Sequence, residues 1–140
     1  MSGIVVVAEN GSGRYQQAIT VGQHQLIADE PESLGGNDAG PAPFDLLMAG
    51  LGACTSITLR MYAERKALNL TQVSVALSHE KIELDGVKRD RIQRTITLTG
   101  DMNSEQRQRL LEIANKCPVH RAVSPSLLIE TTLAEPAITP

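Results

Sequence analysis

The sequence is poor in the residues that most often advertise a macromolecular partner. It has no tryptophan, two tyrosines and one phenylalanine, which leaves little surface on which nucleobases could stack. Nor is there an excess of positive charge: 13 Lys and Arg stand against 16 Asp and Glu, for a net charge of -3. Without a polycationic composition to meet a phosphate backbone, nucleic acid is not an expected partner. Long apolar runs are missing too. The longest uncharged apolar stretch, Leu46 to Leu59, has 14 residues and is interrupted by Gly50, Gly52, Thr55, Ser56 and Thr58, against the roughly 20 needed to cross a bilayer. It reads as a buried helix, and no membrane partner is expected. At the start of the sequence Gly3 to Ala8 is short and ends at Glu9, unlike a basic region followed by an apolar targeting core. A cytoplasmic protein is the expectation.

Cysteine is scarce as well. Two cysteines, 63 positions apart, cannot be the scaffold of a disulfide-rich secreted domain and lack the paired spacing of a zinc ribbon. In a reducing compartment they are two thiols, and a pair of inert, buried small hydrophobes is the plain reading until their surroundings say otherwise. The sequence also lacks a phosphate-binding glycine loop, a GxGxxG turn and a Ser-His-Asp pattern that spacing could place. Whatever chemistry is present must lie in the thiols.

What is there fits one domain spanning 1–140. With 140 residues and 41% hydrophobic composition the chain can bury a core. Ile4 to Ala8, Tyr15 to Val21 and His24 to Ala28 carry β-branched or alternating patterns around Gly11-Ser12-Gly13, predicting a three-stranded meander. Pro31 to Pro43 is rich in Gly, Asn, Asp and Pro, the composition of a loop. From Phe44 to about Leu68 a helix is predicted, with Leu47, Leu51, Cys54, Thr58 and Met61 on one buried stripe at steps of four and three. Val73, Val75 and Leu77, then Ile92, Ile96 and Leu98, flank the turn signal Asp85-Gly86 and predict two antiparallel strands.

Asn103 with Gln106 three residues on is a helix start, and Leu110, Ile113, Ala114 and Cys117 follow at helical spacing. Pro118 breaks that ladder but suits the first turn of a new helix. Cys117 therefore falls at a break, beside free backbone N–H groups that favour a thiolate. Ser126 to Leu133 reads as a last strand. The sum is an α+β fold.

Three segments carry a resemblance. Gly40-Pro41-Ala42-Pro43-Phe44-Asp45-Leu46-Leu47, Leu51-Gly52-Ala53-Cys54-Thr55 and Lys116-Cys117-Pro118-Val119-His120-Arg121-Ala122 resemble the signature regions of the OsmC/Ohr hydroperoxide reductases, in particular the OsmC-like branch. The resemblance runs from about Arg14 to Leu133 and implies an intertwined α+β homodimer, with strands wrapped around central cysteine-bearing helices. It implies that Cys54 is the peroxidatic cysteine, Cys117 the resolving one and Arg14 the active-site arginine. The implied reaction reduces an organic hydroperoxide to an alcohol through a Cys54 sulfenic acid and a Cys54–Cys117 disulfide, which an external dithiol then reduces.

The residue chemistry suits those roles. A thiolate attacks the outer peroxide oxygen, and the sulfenic acid left behind condenses with a second thiol. A thiol with its pKa about 8.5 is only slightly ionised at neutral pH, so a fixed cation helps, and a guanidinium cannot lose its charge. Phe44, Leu47, Leu51 and Met61 are expected to line the substrate site, an apolar lining that favours an organic over an inorganic peroxide.

One departure stands out: Phe44 occupies the position where the resembling peroxidases carry the Glu that holds the arginine. Asp45 either orients Arg14 in its place or is a first-turn acid stabilised by the helix dipole. The alternative function is a non-enzymatic redox-sensing or apolar-ligand-binding module using the same pocket. Cys117 and His120 are spaced as a metal pair that Cys54 could complete, but a fourth ligand and a second Cys pair are missing. No metal and no cofactor are therefore expected, and His120 is read as a helix residue that hydrogen-bonds near the thiol. His24 and His79 receive no role, and Lys81, Glu83 and Lys88 to Arg91 are expected to form a solvated face.

Overall fold

The computed structural model describes residues 3–124 and Glu130. The predicted last strand, Ser126 to Leu133, lies almost wholly outside those residues. The chain opens with a three-stranded antiparallel meander, β1 (Val5–Glu9), β2 (Gln17–Val21) and β3 (His24–Ala28), with β2 in the middle. A loop containing a short 3-10 turn at Glu32–Leu34 leads into the long helix α1 (Pro43–Arg65). Then come the hairpin β4 (Asn69–Leu84) and β5 (Val87–Asp101), helix α2 (Ser104–Ala114) and the short helix α3 (Pro118–Val123).

The loop between β3 and α1 is organised by a buried carboxylate. Asp29 Oδ1 accepts the N–H of Glu30 at 2.8 Å, and Oδ2 accepts those of Asn37 and Ala39 at 3.1 Å each. Burial alone pushes this carboxyl up, and the three backbone donors more than reverse it, so Asp29 titrates below its ordinary range. A lowered folded pKa stabilises the fold above the unfolded value and ceases to do so as pH falls through the folded one. Asp29→Asn should therefore lower the melting temperature at neutral pH. The gap to wild type should close as pH drops below about 4, which a thermal-melt series checks. A gap that does not depend on pH would mean the charge is not what orders the loop.

The hairpin is the platform of the fold. Asp85 and Gly86, both at positive φ (52° and 77°), make the two-residue turn, and Leu84 pairs with Val87 across it, as Asp-Gly prescribes. Alternation then puts Val73, Val75 and Leu77 on one face with Ile92, Arg94, Ile96 and Leu98. That face packs on α1 and α2. The core joins Leu59 of α1 to Leu110, Ile113 and Ala114 of α2, under Tyr62, Val73, Ile96 and Leu98. Asn103 and Gln106 form the expected reciprocal cap of α2, with bonds of 2.8 and 3.0 Å.

Two sequence expectations are corrected. The buried row of α1 is Leu51, Thr55, Leu59 and Ala63, not the stripe through Leu47, Cys54, Thr58 and Met61; Met61 is 63% exposed. Gly52 explains the rotation: a Cβ there would stand 2.8 Å from Leu77 Cδ1 of β4, so the strand closes on the glycine side of the helix. The second correction is at α2, which ends at Ala114 and leaves Cys117 three residues beyond it, as the N-cap of α3.

Candidate functional site

Cys117 owes its environment to Pro118. The proline takes the first helical position of α3, where a missing N–H costs nothing, and Cys117 caps the helix, its Sγ accepting the His120 N–H at 3.4 Å. The side chain is fully buried. On α1, Cys54 is half-buried beside the buried row, and its thiol is one of the groups that lower the titration of Cys117. Both are free thiols.

The next residue, Thr55, is fully buried, and its Oγ1 lies 3.9 Å from Cys117 Sγ. That oxygen donates to Leu51 O at 2.7 Å and accepts from Arg94 Nη1 at 2.9 Å. The other arm of the guanidinium, Nη2, donates to Asn115 Oδ1 at 2.8 Å. Three elements thus meet at the sulfur pair: α1, β5 and the link between α2 and α3.

Burial pushes the Cys117 thiol up. The His120 N–H, the Cys54 thiol, the Thr55 hydroxyl and the charge of Arg94 together outweigh it, and the thiol titrates below its ordinary value. His120 moves down for two reasons, burial first and the charge of Arg94 second. With an ordinary value about 6.5, its ring is neutral at pH 7, so the charge acting on Cys117 belongs to Arg94.

A cleft of about 710 Å³ opens next to this cluster. Phe44, Leu47 and Leu51 form its apolar wall, and Arg94, Asn115 and His120 its polar end. Phe44 stacks flat on His79, with ring centroids 3.8 Å apart and planes 11° apart. His79 Nε2 in turn meets Asp90 Oδ1 at 2.8 Å, with Lys81 Nζ 3.4 Å from the same oxygen. The His79 hydrogen bond first, and Lys81 with it, hold the Asp90 carboxyl below its ordinary range. Asp90 and Arg89 line the same cleft, so part of the expected solvated face is a cleft wall.

A family model described as OsmC-like protein matches residues 35–132. The chain belongs to the OsmC-like family. No curated protein matches it significantly. Among solved structures, the OsmC-like protein of Mycoplasma pneumoniae superposes with a TM-score of 0.74 at 17% identity, over 89% of each chain. The organic hydroperoxide resistance protein OsmC of Legionella pneumophila gives 0.68 at 22% identity, over 91% of this chain and 92% of that one. The organic hydroperoxide resistance protein OhrB of Bacillus subtilis gives 0.63 at 21%, over 91% and 93%. The shared feature is the α+β fold.

Within this OsmC-like chain the residues singled out from sequence fall into two groups. Cys54 and Cys117 come together as the sulfur pair and Phe44, Leu47 and Leu51 line the cleft beside it, whereas Met61 belongs to neither group. Arg14 is exposed, its guanidinium over the Tyr15 ring at 4.9 Å and beside Gly35. Asp45 is in the first turn of α1, where Oδ2 accepts the Ala42 N–H at 3.0 Å. Among the described residues no three His, Cys, Asp or Glu side chains are arranged to hold a metal ion.

Sequence reading missed Arg94, Thr55 and Asn115. For Arg94 a signal exists: Ile92, Ile96 and Leu98 mark the inward positions of the strand, and Arg94 occupies another of them, opposite Leu77. A charge at a core-facing position needs a partner. For Thr55 and Asn115 the sequence carries no comparable sign.

Proposed function

We propose that this OsmC-like protein is a thiol peroxidase that reduces organic hydroperoxides in the cytoplasm. One observation carries the reading: a half-buried cysteine, Cys54, neighbours a fully buried one, Cys117, closely enough to act on its titration. In this reading a peroxide reaches the partly exposed Cys54, and the neighbouring Cys117 resolves the product. A partly exposed thiol beside a buried one suits attack followed by resolution.

In the first step the Cys54 thiolate attacks the outer peroxide oxygen. An S–O bond forms, the O–O bond breaks, and the alkoxide takes a proton to leave as the alcohol, with Cys54 as sulfenic acid. In the second step Cys117 sulfur attacks the sulfenic sulfur. The disulfide forms, the S–O bond breaks, and the departing hydroxide leaves as water with the proton that Cys117 gave up. An external dithiol restores both thiols by exchange. The apolar wall of Phe44, Leu47 and Leu51 suits an organic substituent on the peroxide.

The working unit in this reading is a homodimer. Among the described residues the meander strands pair only with one another, and Val5, Val6 and Val7 of β1 are each more than half exposed, an apolar edge that invites a second copy. The same association is the route by which an Arg14 guanidinium would reach a cysteine pair. Sedimentation at micromolar concentration should give a dimer mass, and a monomer would remove Arg14 from the mechanism.

A second reading rests on Phe44. Stacked on His79 where the resembling peroxidases carry a glutamate, it makes the cleft a good seat for an apolar ligand without providing a carboxylate for catalysis. Titration of the thiols with an organic hydroperoxide separates the two. Rapid loss of both thiols in each chain, repeated after addition of a dithiol such as dihydrolipoamide, is the peroxidase result. Slow loss means sensing or ligand binding.

A further inference from the structure

Arg94 is bonded into the sulfur site through a residue whose hydroxyl is already in use. Thr55 has one hydrogen, on Leu51 O, and its oxygen accepts from Arg94 while facing Cys117 Sγ. That arrangement fits a protonated Cys117, for which the threonine oxygen is an acceptor. Leu51 O also receives the Thr55 backbone N–H through the helix ladder, so losing the hydroxyl hydrogen leaves that carbonyl paired. Arg94 meanwhile polarises the hydroxyl by donating to its oxygen, which makes the O–H a stronger donor.

From this geometry we infer that Arg94 and Thr55 are positioning residues for disulfide closure: Arg94 fixes the Thr55 hydroxyl, which turns from Leu51 to the Cys117 sulfur as that sulfur becomes the attacking thiolate. The inference rests on the dithiol cycle proposed above and assigns its second step to a cation outside the family resemblance. Asn115, bonded to the other arm of the guanidinium, holds the fork in plane. Charged and titratable groups around Cys117 come from each packed element: Cys54 from α1, Arg94 from β5 and His120 from α3. Of these, Arg94 alone carries a permanent charge. It serves Cys117 through the hydroxyl.

Single-turnover mixing with an organic hydroperoxide, quenched with dimedone and read by mass spectrometry, separates sulfenic acid formation on Cys54 from disulfide closure. Thr55→Val should slow closure about tenfold relative to the peroxide step and raise the pH midpoint of closure by about one unit. Thr55→Ser should restore most of the rate. Arg94→Met should move the midpoint the same way, and Arg94→Lys should recover only part, because an ammonium cannot hold Thr55 and Asn115 as a planar fork does. If Thr55→Val folds and closes the disulfide with an unmoved midpoint, the inference is wrong. The same holds if the peroxide step slows instead of closure. Should the wild type consume no peroxide, the dithiol cycle fails separately. The ultraviolet titration of the Cys117 thiolate in a Cys54→Ser background then decides: a midpoint raised by Thr55→Val supports the Arg94–Thr55 assignment, and an unchanged one overturns it.

Discussion

Cys54→Ser should abolish peroxide consumption, whereas Cys117→Ser should complete one turnover and stop with a sulfenic acid on Cys54. The effect is the largest expected, because the sequence has two thiols and the other, Cys117, is fully buried. Removing the attacking sulfur removes the S–O bond-forming step altogether. Removing the resolving sulfur leaves that step intact and lets the sulfenic acid persist for trapping. Mass spectrometry of dimedone-treated protein after one equivalent of hydroperoxide is the measurement. Finding the adduct on Cys117 in active Cys54→Ser protein would exchange the two roles. The lowered titration of Cys117 by itself would suggest that exchange, since thiolates are the better nucleophiles. Access decides against it: a thiolate without solvent exposure is reached by Cys54 and not by a bulky peroxide.

The second large effect concerns the packing that brings the sulfurs together. Leu59 is fully buried one turn below Thr55, against Leu110, Ile113 and Ala114 of α2. Leu59→Ala should cost about 2–5 kcal/mol, a large share of the roughly 5–15 kcal/mol that holds a domain together. A urea melt should show a lower midpoint at an unchanged slope, since the surface exposed on unfolding hardly differs. The same truncation at Met61, which the periodic pattern on its own would place in the core, should cost well under half as much in the isolated chain. If the two variants melt alike, the buried row of α1 is not the one described. Because α1 carries Cys54 and α2 leads directly to Cys117, loss of the Leu59 contact should also loosen the approach of the two sulfurs. Slower disulfide closure in the variant, at temperatures where it remains folded, would register that loss.

Local chemistry made much of this protein legible in its sequence. Asn103 with Gln106, Asp85-Gly86 and Cys117-Pro118 each act within a few residues, through a cap, a turn and a helix start, and each stands in the structure where its chemistry puts it. The segments around Cys54 and Cys117 were enough to indicate the family. The face that α1 buries was a different matter. The helix is apolar or small on nearly every side, so a period of three and four residues fits more than one stripe. The choice fell to Gly52, where the backbone admits Leu77 of β4. That contact is made between residues far apart in the chain. It turns Thr55 inward and leaves Cys54 at the edge of the buried row, which is why one thiol is accessible and the other is not.

The cation was decided the same way. Arg14 was named from a resemblance, and in the single chain it lies over Tyr15. Arg94, 39 positions from Thr55 and 21 from Asn115, enters the site only because the hairpin register sets it opposite Leu77 and above α1. By itself, then, the sequence determined the elements seen among the described residues, their caps and turns, and the two sulfurs, because those follow from forces acting over a turn of chain. Only the tertiary structure decided which thiol is buried, which charge acts on it and which side chains wall the cleft. Burial and Coulomb interaction depend on distance in space, and no local pattern encodes the approach of segments so far apart in the chain.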